Sequence, residues 1–118
     1  MFKLMILIEP EIEQEAFFEG WPRFLQHAEQ MPGLEKLVTA PVHQTLFGHY
    51  QPLMVHELYF ESREALELAL ASEHGVAAGK TLQEITGGRV SLLVAAHLED
   101  SGQNLRRYHT KPETNSEG

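Results

Sequence analysis

The chain has no cysteine, which excludes disulfide staples and any mechanism that needs a thiolate. Basic residues are scarce. Nine Lys/Arg stand against seventeen Asp/Glu, for a net charge of −8. The imbalance lies in the body, where residues 1–100 hold six basic and fifteen acidic side chains. Without a basic stripe there is nothing to neutralise phosphates, so nucleic acid is excluded as a partner, and an anionic membrane surface is disfavoured for the same reason. Long hydrophobic runs are missing too. The longest, Leu4 to Ile8, is far too short to span a bilayer. One lysine precedes it and acidic residues follow it, so it does not read as a signal peptide, and a cytoplasmic protein is expected. Glycine-rich phosphate loops, nucleophile elbows and dinucleotide fingerprints are absent, which leaves no cofactor to expect. Seven histidines occur, but none at His-x-His, His-x3-His or HExxH spacing, and no metal is expected.

What is present fits one domain, residues 1–100, followed by a polar tail, residues 101–118. The tail (SGQNLRRYHTKPETNSEG) is nearly free of apolar residues and cannot offset the entropy of its own ordering. It is expected to be flexible, or to order only on a partner. Within the domain, Phe2 to Ile8 alternates as a strand that is apolar on one face and, at its middle, on the other. Pro10 ends it. Ile12 to Gln30 has helical periodicity, with Phe17, Phe18, Trp21, Phe24, Leu25 and Ala28 on one side; Gly20 and Pro22 predict a kink or break. Leu34 to Gln44 reads as a second strand, and Pro41 suits it to a sheet edge or a bulge. Leu53 to Phe60 is a third strand, rich in bulky residues on both faces. Ser62 is placed to cap a helix whose stripe is Leu66, Ala69 and Leu70, and a further helical piece runs from Ser72 to Ile85. After the Gly87-Gly88 turn, Arg89 to Glu99 is a fourth strand, again apolar on both faces.

The order β-α-β-β-α-β predicts a ferredoxin-like α+β fold, a four-stranded antiparallel sheet with its helices on one face. Helices cover only one side of such a sheet, yet strands one, three and four are apolar on both. A second copy, sheet against sheet about a two-fold axis, is the expected cover. Leu93 falls on the outer face by this count.

The segments MPGLEKL (Met31 to Leu37), HELYFESREALELALAS (His56 to Ser72) and EHGVAAGKTLQEITGG (Glu73 to Gly88) resemble the EthD family, named for ethyl tert-butyl ether degradation. The resemblance covers residues 2–100. It implies a dimeric α+β barrel, a homodimer with a hydrophobic pocket between helices and sheet, and a role in oxidative breakdown of organic compounds. The His-x-Pro-Leu element that members often carry on the first helix is absent. Its position falls on Phe24, with His27 one turn further on.

Two adjacent residues are the candidates for chemistry. His56 and Glu57 lie mid-strand in an apolar segment, where a buried carboxyl of raised pKa or a histidine poised near neutrality could transfer protons. Neighbours on a strand point to opposite faces, so the two do not form a simple acid–base pair. The plainer alternative is that each is hydrogen-bonded for structural reasons. Trp21, Phe24, His27 and Tyr59 are the expected lining of a pocket for a small hydrophobic ligand, although aromatics at helical spacing also serve as ordinary core. The function expected is therefore a cofactor-independent homodimer that binds or converts a hydrophobic organic metabolite, or a non-catalytic accessory dimer of such a pathway.

Overall fold

A computed structural model describes residues 1–100; the expected tail, 101–118, lies outside them. The elements follow as β1 (Phe2–Ile8), α1 (Gln14–Ala28), β2 (Leu34–Pro41), β3 (Met54–Phe60), α2 (Arg63–Ala71), α3 (Glu73–Thr86) and β4 (Val90–Ala96). The sheet is four-stranded, in the order β2-β3-β1-β4, and each neighbouring pair is antiparallel. This is the ferredoxin-like arrangement, with the second helical region divided into α2 and α3. Pro41 stands at the end of the edge strand β2, where a missing donor costs no ladder hydrogen bond.

Register sorts the side chains cleanly. Ile6 pairs with His56 on one side and Leu92 on the other, and Leu4 pairs with Leu58 and Val94. Leu4, Ile6 and Ile8 of β1 and Met54, Leu58 and Phe60 of β3 are buried beneath the helices, against Phe17, Phe24, Leu66, Ala69 and Leu82. Met5, Leu7, Val55, Glu57, Tyr59 and Leu93 take the opposite, outer face, as strand periodicity requires.

Of the kink or break expected in the first helix, the break does not occur: α1 runs continuously through Gly20 and Pro22. Both residues have other reasons to be there. A Cβ at Gly20 would collide with the Ile85 side chain of α3, so the glycine permits close helix–helix approach. Pro22 is exposed, so the carbonyl one turn back that loses its donor can turn to water. Glu13 caps this helix by accepting from the Ala16 amide at 2.9 Å.

Ser72 makes the corner between α2 and α3. Its backbone N–H donates to the Ala69 carbonyl, closing α2, while its Oγ accepts from the Gly75 amide at 3.1 Å and donates to Ala69 O at 2.6 Å. A side chain at Gly75 would strike the Ala69 and Leu70 carbonyls, so the corner is closed to anything larger. Gly87 ends α3 in the left-handed region at φ 62°, a conformation glycine adopts without strain.

Candidate functional site

Under the helices, β3 places His56 at the floor of an aromatic group contributed by α1. Its imidazole meets the Trp21 ring edge-on, with centroids 5.1 Å apart, and the Phe24 ring at 5.9 Å. Trp21 stacks on Phe24 at 4.9 Å, since residues three apart on a helix share a face. On the edge strand, Thr39 is the register partner of His56, and its Oγ1 lies 2.8 Å from Nδ1. His56 is fully buried, and its Nε2 has no hydrogen-bond partner. Burial pushes the imidazole pKa down to about 4, against the field of Glu57 and a backbone contact with Val38 that both raise it. The ring is therefore neutral at pH 7. In either tautomer Thr39 satisfies Nδ1, and Nε2 remains as a bare donor or acceptor among rings.

Beside this group is a small apolar cavity of about 50 Å³, lined by Leu4, Ile6, Phe24, Leu58, Ala78 and Leu82 among others. Leu70 and Leu92, both exposed, stand at its rim. Phe24 touches both this cavity and His56. The size is well short of the roughly 300–1,000 Å³ typical of ligand pockets.

Glu57 belongs to a different environment. On the outer face it accepts from Tyr59 Oη at 2.6 Å and from Lys3 Nζ at 3.1 Å, with both ion-pair side chains about one-sixth exposed. Burial pushes the Glu57 carboxyl up, but the hydrogen bonds from Tyr59 and Lys3 and the lysine's charge outweigh it, leaving the pKa below its ordinary value. The Tyr59 phenol is raised, first by its bond to that carboxylate and then by burial. The ammonium groups of Lys36 and Lys3 lie 4.8 and 5.5 Å from the Tyr59 ring centroid, and His97 meets that ring edge-on at 4.7 Å.

The structure thus brings His56, Trp21 and Phe24 together and separates Glu57 and Tyr59 from them by the thickness of the sheet. Tyr59 cannot shape one pocket with Trp21 and Phe24. It lies three residues beyond His56, an odd step that turns it to the other face. His27 is half-buried and faces His74 of α3, with ring centroids 6.5 Å apart, away from the aromatic group. Thr39 and Lys3 were missing from the expected site. Lys3 was findable as the only charge inside an apolar first strand, on the same face as Glu57. Among the described residues no three His, Asp or Glu side chains converge to hold a metal ion, and no helix there is long and apolar enough to cross a membrane.

No family model matches the chain, and no curated protein matches it. Solved structures do. A crystal structure of an EthD family protein from Bacillus halodurans superposes with a TM-score of 0.75 at 23% identity, over 83% of this chain and 99% of that one. The chain shares its fold with an EthD family protein. A dimeric ferredoxin-like protein of unknown function from Jannaschia sp. matches at TM-score 0.63 and 16% identity, over 81% of this chain and 98% of the other. SnoaB, a cofactor-independent oxygenase from Streptomyces nogalater seen in mutant form, matches at 0.55 and 11%, over 86% and 94%. At these identities the likeness is one of fold, and several of the proteins that share it are described as dimeric.

Proposed function

We propose that residues 1–100 form a domain that works as a sheet-to-sheet homodimer in the cytoplasm. Each subunit takes a small hydrophobic organic molecule between α1, α3 and the sheet, without a bound cofactor. The observation that carries this reading is the bare Nε2 of His56, an unpartnered polar atom in an apolar, aromatic-walled interior next to a cavity. Leaving such a group unpaired costs about 1–3 kcal/mol, and a ligand hydroxyl or carbonyl would recover it. Because the cavity itself is small, a ring-sized ligand enters by displacing Phe24, whose side chain lines the open space and also lies beside the imidazole. The neutral, weakly basic His56 suits hydrogen-bond recognition better than proton abstraction.

Fluorescence tests this directly, since Trp21 is the only tryptophan in the chain. Titration with small phenols and aromatic ketones should change its emission saturably and raise the melting temperature. The Ala78→Leu variant, which fills the cavity, should abolish both effects. Failure of every such compound to perturb Trp21 while the protein stays folded would remove the ligand-binding reading.

A second reading is turnover, favoured by the fold shared with a cofactor-independent oxygenase. His56 would then move a proton during oxidation or isomerisation of the ligand, since Glu57 lies across the sheet from it. Oxygen uptake with a compound that binds, slowed at least tenfold in His56→Asn and unaffected by Glu57→Gln, would establish it. Unchanged uptake in His56→Asn would refute the assignment.

A further inference from the structure

The two nitrogens of His56 stand in unlike surroundings, and which one carries the hydrogen decides what the compartment can bind. Nδ1 faces the edge strand β2. There Thr39 Oγ1, 2.8 Å away, can donate or accept and so leaves the tautomer open. The main chain of Val38, one residue earlier, does not: its contact favours the protonated ring. A carbonyl oxygen has that effect, and an amide N–H would have the opposite one. Nε2 has no hydrogen-bond partner, so the carbonyl acts on Nδ1. Carbonyl oxygens only accept.

A hydrogen on Nδ1 is therefore shared between the Val38 carbonyl and Thr39 Oγ1, and Thr39, being exposed, can turn its own hydroxyl hydrogen to water. The other tautomer loses twice. Its Nδ1 lone pair would face the carbonyl's lone pairs, and its Nε2 hydrogen would lie buried with no acceptor. What stands unpaired among the rings is thus a lone pair at Nε2, not an N–H.

Resting on the ligand reading above, we infer that the compartment selects a neutral guest that donates a hydrogen bond, an alcohol or a phenol, over the ketone, aldehyde or ether of the same skeleton. A hydroxyl hydrogen would meet the Nε2 lone pair. A carbonyl or ether oxygen would set one lone pair against another. Carboxylic acids are rejected as well: at pH 7 they are ionised, have lost the hydrogen they would donate, and would carry an unpaired charge into an apolar interior. Shape adds little to this choice, since a hydrophobic wall discriminates weakly between guests of nearly equal size. Mismatch at a buried polar atom discriminates far more strongly.

Matched pairs of probes test this at pH 7: cyclohexanol with cyclohexanone, and benzyl alcohol with benzaldehyde. Each pair shares a skeleton and differs in whether its oxygen carries a hydrogen. Calorimetric titration should show each alcohol binding at least about tenfold more tightly than its carbonyl counterpart, and His56→Phe should shrink that ratio to about twofold or less. An alcohol accepts as readily as it donates, so a ring with its hydrogen on Nε2 would bind both members of a pair alike. Equal affinities, or a preference for the carbonyl compounds, overturn the inference and leave the ligand reading standing. No binding by any of these probes or by phenols, in folded protein, overturns both. Nitrogen NMR of histidine-labelled wild-type protein reads the tautomer without any substitution, so the test survives a His56→Phe chain that does not fold. His56 is recognised there as a ring still neutral at about pH 5. A protonated Nδ1 beside an unprotonated Nε2 is expected, and the reverse overturns the inference.

Discussion

His56 and Glu57 are neighbours in sequence and share one strand, yet the two sides of the sheet treat them in opposite ways. Beneath the helices His56 loses its charge, because burial among Trp21 and Phe24 outweighs the nearby carboxylate. On the outer side Glu57 keeps its charge, because Lys3 and Tyr59 supply hydrogen bonds and a counter-ion that outweigh its burial. Burial alone therefore does not decide ionisation. What decides it is whether a charge of opposite sign reaches the group before the apolar wall closes.

The largest expected effect tests whether the outer side is an interface at all. Leu93→Asp changes a half-exposed residue of a lone subunit, so the monomer should still fold. Across a sheet-to-sheet contact the same carboxylate would be buried unpaired, at about 3–5 kcal/mol. Sedimentation should show dissociation weakened dimers by two or more orders of magnitude, with an unchanged circular dichroism spectrum; an intact dimer would mean that the outer face is not the contact.

The second prediction breaks the His56 half of the contrast. Its folded pKa, about 4, lies below the roughly 6.5 of an unfolded histidine. The unfolded chain therefore binds the extra proton first, and stability falls as pH drops from 6.5 toward 4. The loss from this group amounts to about 3 kcal/mol. Denaturant titrations of His56→Gln should lack this slope between pH 6.5 and 4.5, a window above the titration of Glu57. That carboxyl, with its folded pKa depressed, contributes stability that is lost only below about 4.5.

Lys3→Met attacks the other half. It leaves Glu57 largely buried without its cation, and unfolding should become easier by about 1–3 kcal/mol. The carboxyl pKa should move up, readable by NMR, and Glu57→Gln should recover part of the loss in the double variant. The smallest effect belongs to Thr39→Val. It removes the partner of His56 Nδ1 at an exposed edge position and should cost about 0.5–1.5 kcal/mol.

This contrast was half legible in the sequence. Period-two alternation is rigid, so it separates His56 from Glu57 and puts Leu93 outside before any coordinates exist. The same rule, applied to the three-residue step from His56 to Tyr59, would have detached Tyr59 from the aromatic pocket. The pairings that fix the charges were not legible, because Lys3 meets Glu57 and Thr39 meets His56 only after registers between distant strands are set. Gly20 shows a different gap. Local propensity reads it as a helix breaker, whereas its role is set by Ile85, sixty-five residues later. Cavity size was beyond reach as well, since it depends on how closely α2 and α3 settle on the sheet.

The Ser72 corner bears on that settling. Leu70 on one side of it and Gly75, Ala78 and Gly79 on the other all contribute to the same wall, and a single hydroxyl bonds both helical segments where one passes into the next. Such a bracket lets neither segment lift by itself. Any movement that widens the compartment then carries α2 and α3 together between Ser62 and Gly87, so a mutation at either end would alter guest entry without touching a single lining atom.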